Sequence, residues 1–292
     1  MKKYDPTTFT YGYEIEWGDI DRRLKIPEHL GSWEYAETDI VNLHEPFKYV
    51  ACDPRGEEPY MGGEVNTKPT NTKEEQVDRV MELYDFFVAN GNQPTAGCVN
   101  HGHAHVFVPG LKDDVEALKK LVAYIGENQR EVIDICYGYY DSPEMKLLKG
   151  MKSYLKLDGG RPMPDYMVEN IVNLTTDFDH FIKLHAAGKD GVSMGRPFRF
   201  AINTYCMKHT GTVEFRCFRS TVKREEVESQ LRFIELFIDA ALNDGPSVKE
   251  IFRDNDFTFP PYLWNFAECK GWLETKWPKE RGVKVREFHE VA

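Results

Sequence analysis

The sequence predicts an α+β protein in which a curved, mostly antiparallel sheet carries helices on its outer face. Several segments alternate apolar and polar residues with the two-residue period of a strand. Amphipathic helices are inserted between them without the regular strand–helix–strand order of a parallel sheet. No internal repeat or low-complexity linker divides the chain, so we expect one domain over residues 1–292, with an aromatic-rich extension at about 255–292.

The first part of the chain is predicted to contain three strands. Residues 8–18 alternate aromatic or aliphatic side chains with polar ones, which is typical of a strand with one buried face. Residues 19–45 show weak periodicity and mixed charge, and we expect an irregular excursion with at most a short helix there. Strands are predicted at 47–52 and 60–67, on either side of a turn-rich segment.

A helix, a strand and a second helix are predicted next. Thr72 and Glu75 form a capping-box pattern before an amphipathic run that ends near Gly91. A strand follows at 99–108, and a helix opens near residue 113 and continues towards 133.

The second half of the chain is predicted to supply a hairpin backed by a long helix. Residues 139–163 are punctuated by Gly and Pro and are expected to form loops, and 164–185 is expected to form one helix. The alternating runs 198–207 and 211–219 predict a hairpin, and 224–242 predicts the helix behind it.

Composition limits the classes of partner. There are 48 acidic and 37 basic residues, and this excess of negative charge weighs against extended nucleic-acid binding. No apolar stretch approaches the roughly 18 to 20 residues that cross a bilayer, so no membrane partner is expected.

The six cysteines are scattered without a CxxC pair, which favours free thiols in a reducing compartment and therefore the cytoplasm. The oligomeric state stays open.

Carboxylates recur on the predicted strands. Glu14 and Glu16 are two residues apart, so their side chains project from one face about 7 Å apart. Glu64 follows two glycines, which permit close approach of a ligand to the backbone. Neighbouring carboxylates repel, and a shared cation or solvent must offset that repulsion.

Histidines and arginines accompany these carboxylates. His101, His103 and His105 alternate on one strand, so their imidazoles share a face and suit a metal or phosphate role. Glu214 and Arg216 share a face of the hairpin, where a purely structural ion pair is the alternative to a functional role. Arg196, Arg199 and Arg219 add guanidinium groups that suit phosphate oxygens, although each is also typical of a charged surface.

The ordered set of these motifs resembles the amidoligase family of the carboxylate-amine ligases, which are relatives of glutamine synthetase and glutamate-cysteine ligase. The resemblance covers residues 12 to about 240 and leaves out the C-terminal aromatic segment. Its pieces are Gly12-Tyr13-Glu14-Ile15-Glu16, Gly63-Glu64-Val65-Asn66-Thr67-Lys68-Pro69, His103-Ala104-His105-Val106, Arg199-Phe200-Ala201-Ile202-Asn203 and Thr212-Val213-Glu214-Phe215-Arg216-Cys217-Phe218.

The resemblance implies a glutamine-synthetase-like catalytic fold that binds ATP and Mg²⁺ or Mn²⁺. It implies that ATP phosphorylates a carboxylate and that an amine attacks the acyl phosphate to form an amide. The substrates would be a small carboxylate and a small amine, on an amino acid, peptide or small precursor. The implied metal ligands are Glu14, Glu16, Glu64, His103 and Glu214. The implied catalytic residues are Arg199, Arg216, Glu64 and Glu214. The implied nucleotide contacts are His103, His105, Arg196, Arg199, Asn203, Arg216 and Arg219.

Two departures from the family pattern leave alternatives open. The family usually has Cys-Gly before its His-x-His, whereas Asn100-His101 stands there, so the functional pair is either His103 with His105 or, in a shifted register, His101 with His103. The family arginine corresponds to either Arg196 or Arg199. The competing functions are a metal-dependent hydrolase built on histidines and carboxylates, and an inactive nucleotide-binding module.

Overall fold

The computed structural model describes residues 3–17, 20–21, 23–33, 63–94, 101–137, 162–187 and 200–259. The strand predicted at 47–52, all but the last two residues of the loops predicted at 139–163, and all of the aromatic segment beyond 259 lie outside the described residues.

Within the described residues, six strands form one open antiparallel sheet in the order β2-β3-β1-β4-β6-β5. The strands are β1 (Thr10–Trp17), β2 (Gly31–Trp33), β3 (Gly63–Thr67), β4 (His101–Phe107), β5 (Ile202–Asn203) and β6 (Val213–Arg219). The antiparallel α+β class predicted from the sequence is confirmed.

Helices in the described segments begin and end close to the predicted positions in most cases. They are α1 (Lys73–Ala89), α2 (Val115–Tyr137), α3 (Asp165–Leu174), α4 (Phe178–Ala186), α5 (Arg224–Leu242) and α6 (Val248–Arg253). The Thr72 hydroxyl caps α1 by accepting from the Glu75 backbone N–H at 3.1 Å, as the sequence predicts.

The core lies between the sheet and the helices. Along β1 the buried residues alternate with partly exposed ones, and the buried set faces α1 and α5. Trp17 packs edge-on against Phe87 of α1, and the Tyr13 hydroxyl donates to the Gln230 side chain of α5. Phe215 of β6 packs against Phe237 of α5 in the same layer. Because one face of the sheet is occupied by this apolar layer, the acidic side chains of β1, β3 and β6 project from the other face.

The structure corrects the prediction for residues 19–45. A short strand, β2, forms within this range and pairs with β3 at the edge of the sheet. Three residues are too few to show an alternating pattern, so the sequence gives no strand signal there.

The single helix predicted at 164–185 is two helices. The break falls at Thr175, Thr176 and Asp177, where the side chains of Thr175 and Asp177 bond backbone groups. The Thr175 hydroxyl donates to the Ile171 carbonyl at 2.6 Å, and Asp177 caps α4 by accepting from the His180 N–H at 2.8 Å.

The predicted hairpin at 198–219 pairs as expected, but its first strand is short. β5 has two residues, and a 3-10 turn at Tyr205–Lys208 follows it. The turn begins where the Asn203 side-chain oxygen accepts from the Tyr205 N–H at 3.1 Å. The sequence prediction also lacked α6, although Ser247 and Glu250 form a capping box at its start.

None of the helices in the described residues combines the length and hydropathy that a membrane span requires.

Replacing Gly31 by alanine is expected to destabilise the β2–β3 edge. A Cβ at Gly31 would overlap the backbone carbonyl of Asn66, which cannot move without disturbing β3. We expect a loss of about 1 to 3 kcal/mol in the free energy of unfolding, measured by urea denaturation. Ser32→Ala at the next, exposed position is the matched control and should change stability by less than about 0.5 kcal/mol. Equal stability of the two variants would contradict the packing of β2 on β3.

His185 is expected to make the fold sensitive to acid. Its Nδ1 donates to the Phe181 carbonyl at 2.8 Å and its Nε2 accepts from the Thr204 hydroxyl at 2.6 Å, while burial lowers the pKa of His185 to about 4. An unfolded histidine has a pKa of about 6.5, so the unfolded chain gains a proton first as the pH falls. The contribution of neutral His185 to the free energy of unfolding should therefore be fully present above about pH 6.5. The free energy of unfolding should decline by about 3 kcal/mol as the pH approaches 4.

Urea denaturation between pH 7 and pH 4 measures this loss. His185→Gln should flatten the pH dependence, whereas His180→Gln on the same helix should retain it. A parallel decline in both variants would assign the acid sensitivity to other groups.

Candidate metal centre

The strand register brings the polar side chains together on the face of the sheet opposite α1 and α5, called here the polar face. Glu14 of β1 lies opposite Asn66 of β3 on one side and opposite His103 of β4 on the other. Glu16 lies directly opposite Glu64. Side chains of directly opposite residues in antiparallel strands lie about 5 Å apart at Cβ, so these residues form neighbouring rows across the sheet.

Glu14, His103 and Glu214 form a compact cluster, called here the triad. One potential ligand atom of each lies within 4.8 Å of those of the other two. His103 Nδ1 is 2.8 Å from Glu14 Oε2 and 3.7 Å from Glu214 Oε1. His103 is 4% exposed and Glu214 is 3% exposed, so both side chains are largely removed from water.

The triad fits a divalent cation by the chemistry of its donors. Carboxylate oxygens suit hard cations such as Mg²⁺ and Mn²⁺, and an imidazole nitrogen adds affinity for a transition metal such as Mn²⁺. Glu214 is buried and Glu14 is partly exposed, and two carboxylates this close repel each other unless positive charge lies between them.

His105 orients Glu14. Its Nε2 is 2.9 Å from Glu14 Oε1, and its Nδ1 is 2.9 Å from the Thr212 hydroxyl. Burial opposes charge on His105, but hydrogen bonds with Cys206 and Glu14 hold the pKa of His105 well above its ordinary value. Burial likewise opposes charge on Glu14, but the hydrogen bonds of both histidines hold its pKa well below the ordinary value. Glu14 is therefore an ionised carboxylate with both oxygens fixed.

Glu214 is held from two sides. Asn203 Nδ2 donates to Glu214 Oε2 at 2.5 Å, and the Arg216 guanidinium forms an ion pair with Glu214 Oε1. Burial of Arg216 acts to lower its pKa, but the carboxylates of Glu214 and Glu14 outweigh it and raise the pKa above the ordinary value. The guanidinium is therefore a fixed positive charge at the edge of the triad.

A bulge in β6 accompanies this arrangement. Gly102 pairs with Phe218 and Ala104 pairs with Phe215. An advance of two residues along β4 is therefore matched by an advance of three residues along β6. The extra residue falls at Arg216–Cys217, and bulges of this kind redirect side chains beside functional sites.

Glu16 and Glu64 form a second acidic pair on the polar face. They are direct cross-strand partners, and Glu64 is 7% exposed. Like charges directly opposite each other destabilise a sheet unless a cation or a guanidinium lies near them.

The remaining residues singled out from the sequence fall at the margin of the site or outside the described residues. Arg196 and Arg199 lie outside the described residues, so the choice between them stays open. The backbones of Arg219 and His101 pair with each other at the ends of β6 and β4. His103 and His105 both contact Glu14, and the side chain of His101 lies outside the described part of the chain.

Three residues of the site were not identified from the sequence: Asn66, Cys206 and Thr212. Thr212 and Asn66 lie two residues from Glu214 and Glu64, so strand alternation was a usable signal for both. The Cys206 sulfur lies 4.0 Å from His105 Nδ1 and 3.2 Å from the Thr210 hydroxyl. Its position depends on the 3-10 turn after β5, which the sequence does not predict.

No family model matches this sequence, and no curated protein matches it either.

A divalent cation is expected to stabilise the folded protein through the triad. Saturating Mn²⁺ at about 100 times its dissociation constant should add about 2.7 kcal/mol to the free energy of unfolding, seen as a rise in Tm. Glu214→Gln should lose most of this Mn²⁺-dependent rise because it removes a charged ligand. Glu82→Gln, at an exposed position of α1, should keep it. An equal rise in both variants would place the bound cation elsewhere.

Proposed function

We propose that the protein is an ATP-dependent carboxylate-amine ligase, an amidoligase with a glutamine-synthetase-like catalytic fold, that forms an amide through an acyl phosphate. The observation that carries this proposal is the gathering of the triad, the Glu16–Glu64 pair and Arg216 on one face of an antiparallel sheet. The order of these residues along the chain also agrees with the family resemblance described above.

Each group has a place in the proposed reaction. A carboxylate oxygen of the acid substrate attacks the γ-phosphorus of ATP, and ADP leaves. The amine nitrogen then attacks the acyl carbon, phosphate leaves, and the nitrogen loses a proton to give the amide. Divalent cations, when bound, would offset negative charge on the phosphates. The reaction needs no covalent enzyme intermediate, so it depends on positioning and charge.

The chain's own residues would supply that positioning. Glu14, His103 and Glu214 would hold one cation, and Glu16 and Glu64 would hold another. The buried Arg216 guanidinium would stabilise the transferring phosphoryl group, because its charge is already fixed near the triad. His105 and Asn203 would act through Glu14 and Glu214, since each hydrogen-bonds one of these carboxylates.

The geometry gives less support to a metal-dependent hydrolase centred on three histidines. The cluster that the described residues form holds one histidine and two carboxylates rather than three histidines. Such a centre would also leave Glu16, Glu64 and Arg216 without a role.

Calorimetric titration with a non-hydrolysable ATP analogue tests the proposal without knowledge of the substrates. The wild type should bind the analogue in the presence of Mg²⁺ and weakly without it, and Glu214→Gln should lose the Mg²⁺-dependent part. Arg216→Lys should lower ADP release in a screen of acids and amines by about a hundredfold or more, because lysine lacks the planar pair of donors.

Glu82→Gln is the control and should behave as the wild type in both assays. Absence of nucleotide binding under every condition would contradict the ligase assignment and favour a metal-dependent hydrolase. Nucleotide binding without ADP release for any substrate pair would favour an inactive nucleotide-binding module.

A further inference from the structure

Asn203 bonds one oxygen of Glu214 and turns the other towards the triad. It lies in β5, directly opposite Glu214 of β6. Its Nδ2 donates to Glu214 Oε2 at 2.5 Å, and its Oδ1 accepts from the Tyr205 N–H at 3.1 Å, so the orientation of the amide is fixed. Glu214 Oε1 is the oxygen that lies 3.7 Å from His103 Nδ1 and pairs with Arg216.

The strand β5 alone gives Asn203 little support. It has two residues and is the outermost strand of the sheet that the described residues form. Short edge segments with few backbone hydrogen bonds open easily. A side chain that orients a metal ligand must be held to within about 0.5 Å, so other contacts have to fix the backbone at this point.

Thr204, the next residue, makes such contacts through both its main chain and its side chain. It is fully buried. Its carbonyl accepts from the Met207 N–H at 3.2 Å, which opens the 3-10 turn. Its hydroxyl lies 2.6 Å from His185 Nε2 of α4. Thr204 therefore ties the end of β5 to a helix.

His185 offers the Thr204 hydroxyl an acceptor in a fixed position. The Phe181 carbonyl can only accept, so His185 Nδ1, 2.8 Å away, carries the proton. Nε2 of the neutral ring is then an acceptor, and the Thr204 hydroxyl donates to it. The imidazole is fully buried and packs on the Phe181 ring, with the ring centroids 4.3 Å apart.

We propose that His185 and Thr204 are positioning residues for a cation at the triad. They fix the backbone at Asn203, and the Asn203 amide in turn orients Glu214. Each of these four residues is at most 3% exposed, so water does not compete for the hydrogen bonds between them. This inference deepens the proposed function and rests on the cation that the triad binds in it. Outer partners that orient metal ligands commonly change metal affinity by about tenfold or more.

Mn²⁺ binding followed by electron paramagnetic resonance, which detects the free ion, tests this role. The Mn²⁺ at the triad is the one that Glu214→Gln loses. Thr204→Val keeps the shape of the side chain but removes the donor, and it should weaken this Mn²⁺ by about tenfold. Thr204→Ser keeps the hydroxyl and should bind as the wild type does. Asn203→Ala should weaken binding at least as much, and adding Thr204→Val to it should cause no further loss, because both act through one contact.

Thr175→Val is the matched control. Thr175 is also a buried threonine, and its hydroxyl donates to the Ile171 carbonyl at 2.6 Å in the break between α3 and α4. Both valine variants should lower Tm, but only Thr204→Val should lower the Mn²⁺ affinity. If Thr204→Val does not fold, His185→Leu removes the acceptor instead and should give the same loss of affinity.

The outcomes separate a positioning role from a structural one. A lowered Tm with wild-type Mn²⁺ affinity in Thr204→Val would overturn the inference. An equal loss of affinity in Thr175→Val would also overturn it, because affinity would then follow stability in general. A further loss in the double variant would exclude Asn203 as the route, and a wild type without Mn²⁺ at the triad would remove the site itself. The expected variant effects without nucleotide binding would support the inference and reject only the ligase function.

Discussion

The repulsion among carboxylates on one face of the sheet is the constraint on which the rest of this structure depends. Glu14 and Glu214 share a buried imidazole, and Glu16 and Glu64 oppose each other in the next row. Buried like charges are costly without compensating positive charge. The histidines and Arg216 supply positive charge beside the triad, and their hydrogen bonds and charges accompany a lowered pKa of Glu14 and a raised pKa of His105. A site built this way is unfavourable as an ordinary core and favourable as a cation-binding centre.

The opposite face of the sheet provides the stability and precision that this arrangement needs. β1 is apolar at every second residue, and Trp17 and Tyr13 fix it against α1 and α5. A shift of one residue in register would move Glu14 into that apolar layer, so the hydrophobic packing also determines where the carboxylates lie. The same alternation in β4 and β6 places His103 and Glu214 on the polar face. Packing on the apolar face of the sheet therefore determines which side chains lie on the polar face.

Strand alternation explains which parts of the site could be predicted. Glu14 with Glu16, His103 with His105 and Glu214 with Arg216 were predicted to share a face because neighbours two apart in a strand always do. The sequence could not pair Asn66 with Glu14, because that contact depends on the register between β1 and β3. The bulge at Arg216–Cys217 and the 3-10 turn that carries Cys206 were missed for the same reason, since tertiary contacts determine both. β2 was too short to give a pattern at all.

Arg216 is the residue that distinguishes the proposed ligase site from a site that only binds a metal ion. A triad of two carboxylates and an imidazole would serve many metal-dependent reactions equally well. A buried guanidinium beside a metal ligand is unfavourable for holding a cation, because the two positive charges repel. The guanidinium becomes favourable when an anion lies between it and the cation. Phosphoryl groups are such anions, because they carry dense negative charge and their oxygens match the geometry of the guanidinium donors. The ion pair with Glu214 fixes Arg216 beside the triad. In the proposed ligase, a polyphosphate substrate would therefore account for more of this site than a water-activating metal alone.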